Sequence, residues 1–113
     1  MRLKQIALIS ASACIASPCL AANLSWYGTA KSESIVAVKL HVAGIADGLS
    51  WANSAVQLNG GSRLYCPPDN LSLNDDNYIN MIDSEIARSP SFDGNTYLGL
   101  VLLRALQRAF PCQ

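Results

Sequence analysis

The stretch SESIVAVKLHVAGIADGLSWANSAVQL, residues 32–58, decides the reading of this chain. Ile35, Val38, Val42, Ile45, Leu49 and Ala52 recur within it at spacings of three and four, the repeat of one helix face. The spacing predicts a long helix, with Ser32 capping its first turn and Glu33 near the positive end of its dipole. Gly44 and Gly48 lie one turn apart and cost helix propensity, so they are expected to mark a close approach of another helix or a bend. His41, the single histidine, sits beside the apolar stripe and reads as a packed or half-exposed structural residue. Trp51 reads as core, since aromatics in a small domain fill it, while Trp26 and Tyr27 fit either packing or an exposed anchor.

Downstream, Asn59-Gly60-Gly61-Ser62 ends this helix, and Cys66-Pro67-Pro68-Asp69-Asn70 forms a stiff extended connector. Ser72 with Asp75 marks a second helix start, and Asp75 and Asp76 occupy a first turn where negative charge is favoured. Ile79, Ile82 and Ile86 give that helix a stripe to bury, Asn80, Asp83 and Arg88 fall elsewhere, and Ser89-Pro90 stops it. After a loop through Ser91, Phe92, Asp93 and Asn95, residues 96–110 form a helix that is apolar on most sides. It is expected at the centre of the core, with Arg104, Gln107 and Arg108 as its polar edge. The fold class is therefore all-α: a small single-domain helical bundle over residues 23–113.

Upstream, Arg2 and Lys4 precede a short apolar run from Ile6 to about Ile15, and Ser17-Pro18-Cys19-Leu20-Ala21-Ala22 follows. This is the grammar of a signal peptide over residues 1–22, removed after Ala21 or Ala22, and it implies export to the periplasm. Lipidation is disfavoured because Cys14 lacks a leucine three residues before it and Pro18 spoils Cys19. The precursor has eight basic and eight acidic side chains, so loss of Arg2 and Lys4 leaves a mildly acidic mature chain. No basic stripe with interleaved aromatics is present, so nucleic acid is a poor partner. No stretch after Ala22 is expected to be long and apolar enough for a membrane helix.

Cleavage removes Cys14 and Cys19 and leaves Cys66 and Cys112. In an oxidising compartment such a pair is expected to be a structural disulfide, restricting the unfolded chain by roughly 4 kcal/mol in the entropy model. A small domain has good use for that staple. A zinc site needs more ligands than two cysteines and His41 supply, so neither metal nor cofactor is expected. Nucleophilic catalysis needs a nucleophile beside a base, and the mature chain offers one histidine and no free thiol, so no catalytic residues are assigned. No phosphate loop, zinc-protease helix or calcium loop occurs.

Three pieces in order carry a family likeness: His41-Val42-Ala43-Gly44-Ile45-Ala46-Asp47-Gly48; Tyr65-Cys66-Pro67-Pro68; and Leu102-Leu103-Arg104-Ala105-Leu106-Gln107-Arg108-Ala109-Phe110-Pro111-Cys112. From about Ile35 to the last residue the chain resembles the Tai/Rap family of type VI secretion amidase immunity proteins. The resemblance implies a small helical periplasmic protein that binds a secreted peptidoglycan amidase and blocks its cleft, without reacting itself. It implies a target similar to papain-type hydrolases, and homodimers as a working form. Only Cys66 and Cys112 carry over, as structural residues. Many members have a further cysteine where this chain has Val38 and an aromatic where it has His41, which removes a second disulfide from the expectation.

Contact candidates come from physical argument alone: the acidic turn Asn74, Asp75, Asp76 and Asn77, and the loop residues Ser91, Phe92, Asp93 and Asn95, exposed and rich in hydrogen-bonding groups. The alternative function is that of a periplasmic acid-stress chaperone, a holdase that exposes apolar surface when acidified.

Overall fold

A computed structural model of the chain describes residues 21–113. The expected signal segment lies outside these residues, apart from Ala21 and Ala22. Among the described residues there are four helices: α1 (Leu24–Glu33), α2 (Ile35–Leu58), α3 (Asp75–Arg88) and α4 (Leu98–Ala109). The all-α bundle closed by one disulfide is thus the observed fold.

Helix α1 was not foreseen, because its apolar residues follow no helical stripe. Asn23 starts it, with its side-chain oxygen accepting from Trp26 N–H at 2.9 Å. Ser34 then separates α1 from α2 and serves both. Its N–H donates to the Ala30 carbonyl at 2.8 Å, and its Oγ accepts from Ala37 N–H at 3.4 Å. Ser32, the expected cap, lies inside α1 and donates its hydroxyl to the Thr29 carbonyl. The long helix therefore starts later than its stripe implies, after a one-residue break.

Along α2, Val38, Val42 and Ala46 are buried, and Ile45 and Leu49 pack on the core, whereas Ile35 and Ala52 at the stripe's ends are exposed. A Cβ on Gly44 or Gly48 would meet nothing within 4 Å, so the expected close helix approach there is absent, and α2 continues through both without interruption. Asn59 and Gly60 end it. Gly60 takes φ +78°, its N–H reaches the Gln57 carbonyl and the Gly61 N–H reaches that of Val56, which satisfies two terminal carbonyls in a Schellman arrangement.

The expectation that no stretch after Ala22 is long and apolar enough for a membrane helix does not hold. Helix α2, 24 residues long with a mean hydropathy of 1.3 over an 18-residue window, is long and apolar enough by length and composition to cross a membrane. Its few charged and polar residues are spread among Ala, Val and Leu, which keeps the window average high.

The connector after α2 is held by the buried Asn53, whose Nδ2 donates to the Tyr65 carbonyl at 2.8 Å and whose Oδ1 accepts from Leu64 N–H at 2.6 Å. Helix α3 begins at Asp75, the residue expected to pair with Ser72. Asn74, not Ser72, is its cap, in a reciprocal capping box with Asn77 at 2.9 Å in both directions. Ile79 and Ile82 are buried, Ile86 packs at the margin, and Ser89 ends the helix as read.

Helix α4 carries the densest part of the core: Leu98, Val101, Leu102, Ala105 and Leu106 are all buried. It packs on α3 and touches α2. Cys66 and Cys112 are bonded, with Cα atoms 5.0 Å apart. Beside them the Cys66 N–H donates to the Phe110 carbonyl at 2.8 Å, so the connector is tied to the chain's end twice.

Candidate partner-binding surface

The acidic turn at the start of α3 is exposed but partly committed. Asn74 and Asn77 spend their side chains on the capping box, and Asp76 pairs with Lys39 of α2 at 3.0 Å. Asp75 is half-buried beside Tyr78. The Tyr78 phenol is held above its ordinary range by burial first, then by the charges of Asp47 and Asp75. Asp47 of α2 thus joins Asp75 and Asp76 in one acidic patch that the sequence distance conceals.

The loop residues behave differently. Ser91, Asp93 and Asn95 are exposed, but Phe92 packs against the core, with the Arg104 guanidinium 5.8 Å from its ring centre. Asp93 organises the loop. Its carboxylate accepts from Asn95 N–H at 2.9 Å and from the Thr96 hydroxyl. The start of α1 clamps the same loop, because Leu24 N–H and Ser25 N–H donate to the Thr96 and Gly94 carbonyls, each at 3.0 Å. The two candidate regions also lie at opposite ends of α3, about 21 Å apart along a helix of this length. They do not form one surface.

A surface that the sequence reading missed runs along the outside of α2. Val36, Leu40, Trp51 and Leu58 are exposed there, Trp51 to 76 % of its full area. They fall close to one helical line, with the open Gly44 and Asp47 between them. Trp51 therefore stands in solvent, not in the core as expected. The reason is its phase: the buried line of α2 runs through Val42, Ala46 and Asn53, and Trp51 lies far around the helix from it. A second repeat through residues 36, 40, 44, 47, 51 and 58 was present in the sequence to be found. Its small and charged members masked it.

About a quarter-turn around the helix from that line, His41 is exposed and rests against Trp26, ring centres 4.9 Å apart. Trp26 packs on the core, and Tyr27 is buried to 3 % exposure. The Tyr27 hydroxyl donates to Asp83 at 2.9 Å, and burial, that bond and the Asp83 charge push its ionisation up. Lys31 closes the group on Asp83 at 2.6 Å.

Between α3 and α4 lies a cavity of about 420 Å³, lined by Asn80, Met81, Ser84, Glu85, Arg88 and Arg108 among others. Glu85, at 2 % exposure, forms its anchor. Its two oxygens accept from Arg108 Nε at 2.8 Å and Nη2 at 3.1 Å, and it accepts weakly from the Ser89 hydroxyl at 3.3 Å. Those Arg108 bonds outweigh burial and hold the Glu85 carboxyl below its usual range. An ionised carboxylate so fully occupied is poorly placed to act as an acid or base. Among the described residues no three His, Cys, Asp or Glu side chains gather as a metal site.

The described residues present one acidic patch, one apolar helix face and a clamped polar loop on a disulfide-closed frame. No protein-family model, curated protein or solved structure matches the chain.

Proposed function

We propose that this protein is a periplasmic immunity protein that binds a secreted peptidoglycan amidase and blocks its cleft, protecting the producing cell and its kin. The observation that carries a binding role is the outer face of α2, where Val36, Leu40, Trp51 and Leu58 remain in water although the inner face is packed. Large apolar side chains with an aromatic among them are the anchors of protein interfaces. The adjacent patch of Asp47, Asp75 and Asp76 supplies a polar rim. The choice of partner rests on the resemblance alone; two of its three pieces, Tyr65–Pro68 and Leu102–Cys112, are joined by the Cys66–Cys112 bridge and the Cys66 to Phe110 hydrogen bond. The protein acts by occupancy and catalyses nothing. The disulfide fits an oxidising compartment.

The test is a pull-down of the mature protein against the secreted and periplasmic proteins of its source, with cell-wall hydrolysis as the readout. One dominant amidase at a fixed ratio, inhibited on binding, is the expected result. Leu40→Glu and Trp51→Glu should each keep the melting midpoint of the parent and weaken capture at least tenfold, the loss of roughly 1.4 kcal/mol at one anchor. The same apolar face favours a second reading, a holdase. Capture of many unfolded chains, with no inhibited amidase, would replace the first reading by that one.

A further inference from the structure

We infer that the leader is cut at the Ala21–Ala22 bond and at no other, so that Ala22 is the first residue of the mature protein and a working part of its fold. This rests on the export reading, and it decides between the two cleavage points, after Ala21 and after Ala22.

The structural argument starts at α4. Its cap residue, Tyr97, gives no side-chain hydrogen bond to the helix start, so the first N–H groups need partners from elsewhere. The Leu98 N–H belongs to a fully buried residue and donates to the Ala22 carbonyl at 2.9 Å. With Leu24 N–H donating to the Thr96 carbonyl, this bond makes the antiparallel bridge between Asn23 and Tyr97. Ala22 is half-buried and packs against the core, whereas Ala21 is exposed. Ala21 and Ala22 also sit at the edge of an open cavity of about 230 Å³, shared with Asn23, Trp26 and His41.

Hydrolysis of Ala21–Ala22 adds water across that amide, leaves the new carboxylate on the leader and the new amine on Ala22, and keeps the Ala22 carbonyl in its amide with Asn23. Hydrolysis one bond later removes that carbonyl with the leader. The buried Leu98 N–H would then have no acceptor from this segment, a loss of the costly kind.

A second, independent line agrees. Leader-removing peptidases read small residues one and three positions before the cut. A cut after Ala21 presents Ala21 and Cys19 there, both small; a cut after Ala22 presents Ala22 and the bulky Leu20.

The experiment is expression of the full chain in an export-competent Gram-negative host, followed by N-terminal sequencing and intact mass of the periplasmic product. A single product starting at Ala22 is expected. An exported product starting at Asn23 or elsewhere overturns the inference while leaving export intact; an unprocessed chain held in the cytoplasm overturns the export reading and this inference with it. The structural half is tested separately on two purified chains that start at Ala22 and at Asn23. The Leu98 amide should exchange its hydrogen roughly tenfold faster in the shorter chain, with a lower melting midpoint. Equal Leu98 exchange in the two would show that Ala22 does not cap α4.

Discussion

Glu85 is the residue where charge and burial meet most directly. Its carboxylate is shut in and held ionised by Arg108, so its folded-state ionisation lies below the ordinary glutamate range of about 4.3. A group depressed in this way stabilises the fold above that range and loses its contribution as pH falls through and below it. Glu85→Gln should therefore lower the melting midpoint by a few degrees at pH 7, and the gap to the parent should close as the pH is taken below about 4. Thermal unfolding by circular dichroism from pH 3 to 7 reads both effects, and a gap that stays constant with pH would remove the charge argument. None of this was visible in the sequence. Glu85 and Arg108 stand on different helices, and the periodicity of α3 marks isoleucines, not a glutamate, as its buried residues.

Elements were more legible than their boundaries. The stripes of α2, α3 and α4 were all readable, because three-four spacing of Val, Ile and Leu survives whatever the chain packs against. What failed were the caps: Ser32 and Ser72 had the right chemistry, but Ser34 and Asn74 had the right place, since any nearby polar side chain satisfies the same rule. Gly44 and Gly48 were misread for a similar reason, because a helical glycine can mark a contact or merely an open face. With open space at both positions, Gly44→Ala and Gly48→Ala should each raise stability by about 1 kcal/mol, the ordinary gain in helix propensity. Urea denaturation of the mature protein measures it. A loss at either site would mean that something occupies this face in solution.

At the scale of the whole molecule, the bridge between Cys66 and Cys112 joins the connector after α2 to the end of α4, across 46 residues of chain. Cys66→Ser or Cys112→Ser should cost roughly 2–4 kcal/mol and lower the melting midpoint clearly, while leaving the outer face of α2, which neither cysteine touches, able to bind. Melting midpoints equal to that of the oxidised parent would deny the bridge its role. The candidate surfaces divide at this scale too. The acidic turn and the polar loop were proposed together from composition, yet α3 holds them at its two ends, and the turn's neighbours are Lys39 and Asp47 of α2.

By itself the sequence determined the class of fold, three of the four described helices and the cysteine pair, because periodicity and residue chemistry are local properties carried by each segment. Only the tertiary structure decided which faces were covered. Trp51 faces water and Glu85 does not, and Ala22 supplies the hydrogen bond that starts α4. Burial depends on the phase of one helix against another and on which distant group supplies a missing partner, and neither is written in the order of the residues.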